Sequence, residues 1–200
     1  MPLTASQLTQ VHRRQQLALR KFTLAEMARL WPALFWDDLD GTYPALAGAA
    51  AEMVAKYRRT SAGLSAAFLR AHRVASGLDG AVDVVTPPVL NVEQFDAVLH
   101  SLTVASVKVA ASKAIPANVA MSNALVRSSG AMSRLVLDAG RQTVTQTIQS
   151  DDRATGWRRV LGGGGCDFCR MLADRVYPRD NADFDAHGKC GCTSEPVYRA

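Results

Sequence analysis

The sequence is poor in aromatic residues, at 6%, and has only four cysteines, all lying between positions 166 and 192. A β-sandwich draws on aromatic and β-branched side chains for its inner faces, so this scarcity, beside abundant alanine, favours close-packed helices. Long uncharged apolar runs are missing as well, and no membrane span is expected. The start, Met1-Pro2-Leu3-Thr4-Ala5-Ser6-Gln7, lacks a basic stretch followed by an apolar one. No secretory signal is therefore expected, and folding is assigned to a reducing cytosol. There, cysteines confined to so short a stretch point to metal rather than to a disulfide framework. Charge of one sign is only in mild excess: the net charge is +5 with a pI near 9.3. That balance is compatible with a polyanionic setting without establishing contact with one.

What is present is helical periodicity. Apolar residues recur at helical spacing over about 5–35, 44–77, 91–114 and 117–150. In the first segment Leu8, Val11, Ala18, Leu19 and Phe22 form the stripe, and Arg13, Arg14, Arg20 and Lys21 crowd the remaining surface. Pro44 suits the first turn of the second helix. Asp79-Gly80 and Pro87-Pro88 mark a loop. Asn91 with Gln94 forms a pair of capping-box type, and Pro116 separates the third segment from the fourth. Residues 143–148 are rich in β-branched side chains, which leaves helix or strand open there. At about residue 151 the pattern gives way to short, turn-rich pieces. The expected architecture is mainly α: an extended helical body over 1–150, then a small α+β zinc-stapled module over 151–200. A unit of that size commonly needs a metal in place of a larger core.

The chemistry lies in the spacing Cys166-x2-Cys169, then His187-x2-Cys190-x-Cys192. Two thiolates on a tight turn reach one tetrahedral ion, and zinc accepts mixed sulfur and imidazole ligands. Five side chains compete for four positions. Residues one apart in an extended chain point in opposite directions. Cys166, Cys169, His187 and Cys190 are therefore favoured, with Cys192 replacing one of them as the alternative. A structural zinc is expected rather than a catalytic one, since no motif places Asp185 or Glu195 as acid or base. A redox pair of thioredoxin type lacks its βαβ context. Gly162 to Gly165 read as a flexible hinge, not a phosphate loop, because no Gly-Lys-Ser/Thr follows. Trp157, Phe168 and Tyr177 are expected to form the module's small core.

Basic side chains supply sequence-independent affinity for phosphates. Arg13, Arg14, Arg20 and Lys21 are the candidate polyanion contacts, weighed against a merely solvated face. Lys108, Lys113, Arg127, Arg134 and Arg141 add positive charge to the later helices. His12, His72 and His100 stand singly in helical patterns and read as surface or capped core residues. Ser128 or Ser129 with His72 or His100 could be drawn together as a nucleophile and base, but no motif joins them.

The stretch Trp157-Arg158-Arg159-Val160, Cys166-Asp167-Phe168-Cys169-Arg170-Met171-Leu172-Ala173, Val176-Tyr177, His187-Gly188-Lys189-Cys190-Gly191-Cys192-Thr193 resembles the C-terminal segment of MuF-like minor head proteins of tailed bacteriophages, in the form found in phages of actinobacteria. That family carries a Cys-x2-Cys, a short hydrophobic segment with tyrosine or phenylalanine, then His-Pro-x-Cys-Arg-Cys and a strand-like tail. Here Gly188 stands where proline is frequent and Gly191 where arginine is usual. The resemblance covers about 40 residues. It implies a minor capsid protein that associates with the portal protein and other capsid proteins during head assembly, in the virion head or procapsid, with non-specific contact to packaged DNA. Related phage proteins are often labelled capsid maturation proteases. A head maturation protease and a zinc-dependent nucleic-acid-binding protein are therefore the two alternatives to a structural head protein.

Overall fold

A computed structural model describes residues 1–162, 166–173, 175–181, 183–187 and 190–199. The fold is mainly helical with a small C-terminal strand module. No described helix is long and apolar enough to cross a membrane.

Helix α1, Ala5–Leu30, opens on a capping box in which Thr4 accepts from the Gln7 N–H and Gln7 returns the bond to Thr4. It stops short of the expected residue 35. Pro32 has no N–H to continue the ladder, and Trp31–Ala33 tighten into a 3-10 turn. Helix α2, Leu39–Ala75, begins earlier than expected because Asp38 caps it, accepting from the Gly41 N–H at 3.0 Å. Pro44 therefore sits past the first turn, inside the helix on its exposed side, where it removes one bond of the ladder. The helix is closed beyond Ala75 by Gly77, φ +75°, with the Gly77 and Leu78 N–H groups donating back to Val74 and Arg73, a Schellman closure that requires the left-handed region.

The third segment is not one regular helix. Helix α3, Val92–His100, capped by Asn91, runs through a π-helical turn at Ser101–Ala105 into α4, Ser106–Ser112. Thr103 and Ser106 hydroxyls bond back to the Leu99 and Leu102 carbonyls across that turn. Helix α5, Ala117–Ser150, settles the open question at 143–148 as helix. Thr143 returns its hydroxyl to Ala139 O at 2.8 Å, and Thr147 accepts the Val85 N–H at 3.0 Å. Two of the three threonine hydroxyls are thereby satisfied within the packed helix, while that of Thr145 is buried without a partner.

Helices α1, α2 and α5 pack together around Leu46, Val54, Leu99, Met132 and Val136. Between them runs a buried polar seam. His12 bonds Ser65 at 2.9 Å and stacks on Phe68 at 4.3 Å, and Gln16 exchanges bonds with Ser61. His12 and His72 are thus core residues with partners; His100 meets Tyr43 edge-on.

Strand β1, Ala154–Val160, leaves α5 directly and pairs antiparallel with β2, Val176–Pro178, and with β3, Thr193–Tyr198. The order is β2-β1-β3, with β1 in the centre. Trp157 on β1 joins Phe68, Leu69, Val144, Ile148 and Ala154 in a second core. The sheet is therefore seated on the ends of α2 and α5 and holds the cysteine loops beside them.

Candidate metal centre

Helix α6, Asp167–Leu172, presents the first pair of cysteines. Cys166 caps it, its sulfur accepting from the Cys169 N–H at 3.5 Å, so the N–H groups of the first turn face the thiolate. Cys169 follows one turn on and is buried. The second group arrives on the turn before β3, where the Cys190 N–H donates to His187 O at 3.0 Å.

Two triads result, and Cys169 belongs to both. Cys166, Cys169 and His187 bring their ligand atoms within 4.8 Å of one another, as do Cys169, Cys190 and Cys192. His187 Nε2 lies 3.0 Å from Cys166 Sγ and 3.6 Å from Cys169 Sγ, and Cys169 Sγ lies 3.7 Å from Cys190 Sγ. A tetrahedron with metal–sulfur bonds of about 2.3 Å has sulfur–sulfur edges of about 3.8 Å. The Cys169–Cys190 distance fits such an edge and is far too long for a disulfide; all four cysteines are free thiols. The donor set, soft sulfur with imidazole, suits zinc. All five sequence candidates are thus brought to one place. The expectation that Cys190 and Cys192 point apart does not hold: residues 190–192 precede β3 and are not extended strand, so period-two alternation has no purchase on them.

Two arginines surround the cluster. Arg141 of α5, 3% exposed, donates from Nε to Cys192 O at 3.0 Å and from Nη2 to Cys190 O at 2.8 Å. Its remaining nitrogen pairs with Asp138 at 2.6 Å. Arg159 of β1 donates to Asp185 O at 2.6 Å and reaches Cys169 Sγ at 4.0 Å. Phe184 lies against both guanidinium groups, 4.0 Å from that of Arg159 and 4.9 Å from that of Arg141.

The thiols divide accordingly. A hydrogen bond from Cys192, with the Arg141 charge, pulls Cys190 down to about 4, and Cys192 as the donor is pushed up. The backbone N–H of Cys169 lowers Cys166, whereas burial raises Cys169 to about 11.

Other sequence candidates lie elsewhere. Glu195 pairs with Arg158 across β1 and β3. Trp157 stacks on Tyr177 at 4.3 Å as expected, but Phe168 is 43% exposed and only edges onto His187. Phe184, which the sequence reading missed, takes the place expected for Phe168. Among the described residues Ser128 bonds only Leu125 O and has neither His72 nor His100 as a partner. On α1, Arg14 and Lys21 are exposed and Arg13 and Arg20 are half-buried. Lys108 is committed to Asp40. Gly163, Gly164 and Gly165 of the expected hinge, and Gly188 of the histidine loop, lie outside the described residues.

Comparison with known proteins gives one family: a family model described as VG15 protein matches residues 3–200. No curated protein and no solved structure matches the chain at a significant level.

Proposed function

The chain belongs to the VG15 protein family, a family of viral gene proteins, and is on that ground a phage protein; we propose that it is a minor head protein of MuF type carrying one structural zinc ion. In this reading it associates with the portal protein and other capsid proteins during head assembly, is made in the host cytoplasm and resides in the procapsid or virion head. The observation that carries the zinc role is the Arg141 clamp. A buried guanidinium donates to the carbonyls of both Cys190 and Cys192, so the loop is tied into the helical bundle as a staple is. Four of Cys166, Cys169, His187, Cys190 and Cys192 would hold the ion, which would supply cross-linking of the two loops. The head assignment itself is supported by the family and by the resemblance of the segment 157–198.

Elemental analysis of reduced, freshly purified protein is expected to give about one zinc per chain. Cys166→Ser/Cys169→Ser should lose it; protein without stoichiometric metal would sink the zinc reading. Co-expression with the cognate portal protein should give a co-purifying complex. Co-expression with the major capsid protein should leave that protein intact. Cleavage that a single serine or histidine replacement abolishes would instead establish a maturation protease. Contact with packaged DNA through Arg13, Arg14, Arg20 and Lys21 belongs to the same reading. It predicts salt-sensitive, sequence-independent affinity that Arg14→Glu/Lys21→Glu weakens and flattens against salt.

A further inference from the structure

Helix α2 buries one side against α1 and α5, while much of its opposite face stays exposed among the described residues, flanked by the loop at 86–90. Gly48, Glu52, Ala55, Arg59 and Gly63 follow one another at spacings of three or four and share that face. Gly48, Glu52, Arg59 and Gly63 are exposed, and a Cβ added at either glycine would meet nothing within 4 Å. Among the described residues neither Glu52 nor Arg59 has an ion-pair or hydrogen-bond partner, unlike Asp40, Asp138 or Glu195. Alongside runs the extended loop at Pro87–Leu90, with Val89 91% exposed. Loop and helix enclose an open, largely apolar cavity of about 590 Å³, floored by Ala51, Ala55, Ala62 and Gly63.

We propose that this face of α2 is a homodimer interface, in which the same helix of a second copy lies antiparallel across it about a two-fold axis between Ala55 and Lys56. The order of the residues favours this pairing. An antiparallel pair centred there sets Glu52 against the partner's Arg59, and Arg59 against the partner's Glu52. The same register sets Gly48 against the partner's Gly63 and vice versa. Both glycine positions then allow close backbone approach, and both charge positions are neutralised, which is the self-complementarity that an isologous two-fold contact demands. A parallel pair would instead juxtapose Glu52 with Glu52 and Arg59 with Arg59. Lys56 faces the partner's Ala55 near the axis, and its flexible stem carries the ammonium out to water. From Gly48 to Gly63 the contact runs roughly 22 Å at 1.5 Å per residue, four turns of helix. The loop wall at Pro87–Leu90 extends the apolar area on one side of each copy. A second copy suits the face better than an unrelated protein, because each charge finds its opposite in this chain's own sequence.

The test is sedimentation velocity of the full-length chain at low salt, over a series from micromolar to submillimolar. A monomer–dimer equilibrium is expected. Glu52→Arg alone and Arg59→Glu alone should each weaken it roughly tenfold, since two symmetric pairs per dimer turn repulsive. The double variant Glu52→Arg/Arg59→Glu restores both pairs and should return the dimerisation constant to within roughly threefold of the original. Gly63→Leu should abolish dimers, with an unchanged circular dichroism spectrum to show that the monomer is folded. A chain that stays monomeric throughout overturns the proposal, and any other partner of this face then has to be sought. A dimer indifferent to the single reversals, or a double variant as weak as the singles, overturns it equally.

Discussion

Arg141 illustrates at the scale of one residue how a charge is kept inside this protein. At 3% exposure it would be costly if unpaired, yet two of its nitrogens meet carbonyls of the cysteine loop and a third meets Asp138. Arg141→Met removes the charge with little change in bulk, but leaves the Cys190 and Cys192 carbonyls without donors. Urea unfolding should show a loss of about 2–4 kcal/mol, and competition with a chelator should show metal held roughly 10–100-fold more weakly. His12 makes a second prediction at this scale. Burial, with the nearby His72 charge, lowers its pKa to about 4, and its buried Nδ1 has no partner to stabilise a proton. The unfolded chain therefore takes up a proton near pH 6.5 that the folded chain refuses until about pH 4. Stability is full above pH 6.5 and falls as pH drops toward 4, by about 3 kcal/mol in all, with burial of His72 acting in the same direction. Denaturation midpoints measured from pH 7 to 5 should decline. His12→Gln, which keeps a donor toward Ser65, should decline less; an equal slope in the two proteins would contradict this origin.

At the scale of elements, the crossing of α1, α2 and α5 depends on Gly140. A Cβ there would come within 2.6 Å of Ser61 Oγ, 2.7 Å of Ser65 Oγ and 2.9 Å of Gln16 Nε2. Its N–H also donates to Ser61 at 3.1 Å. Gly140→Ala gains helix propensity but must spread the seam, and a net loss of about 1–3 kcal/mol is expected in thermal or urea unfolding. A stabilised variant would show that the seam yields. The long helices were legible because periodicity and caps are local signals: Asn91 and Pro116 mark starts that the structure keeps. What escaped was set by tertiary choices. The start expected near Pro44 gave way to Asp38, whose carboxylate accepts the Gly41 N–H and caps the helix five residues earlier than the 44 expected. The π-helical turn at Ser101–Ala105 carries no composition of its own. Arg141 was readable in principle, since Leu137, Arg141, Val144 and Ile148 keep the spacing of one buried stripe. The cysteine and histidine positions were legible because ligand chemistry constrains residue type. Phe184 was not, because only the folded loop brings it between two guanidinium groups.

For the whole molecule, the question is whether the strand module is a separable unit. Its core is shared: Phe68 and Leu69 of α2 and Val144 and Ile148 of α5 pack with Ala154 and Trp157 of β1. An ion pair reinforces the junction, Arg73 at the end of α2 meeting Asp151 just after α5, both buried. Arg141 adds a third connection, from the C-terminal half of α5 to the cysteine loop. We propose that residues 1–150 and 151–200 fold as one cooperative unit in spite of the change in composition between them. Burying a single large apolar side chain contributes about 1.5–3 kcal/mol, so losing the β1 side of this core is a large fraction of a domain's stability. A chain ending at Ser150 should accordingly be unstable or aggregate, with dye binding to the uncovered ends of α2 and α5. In the intact protein, chelating the metal should lower the unfolding temperature followed by the helical signal, not only that followed by Trp157 fluorescence. Calorimetry resolving two transitions, with the helical one unmoved by chelator, would refute the single unit and leave the metal stapling its own loops alone.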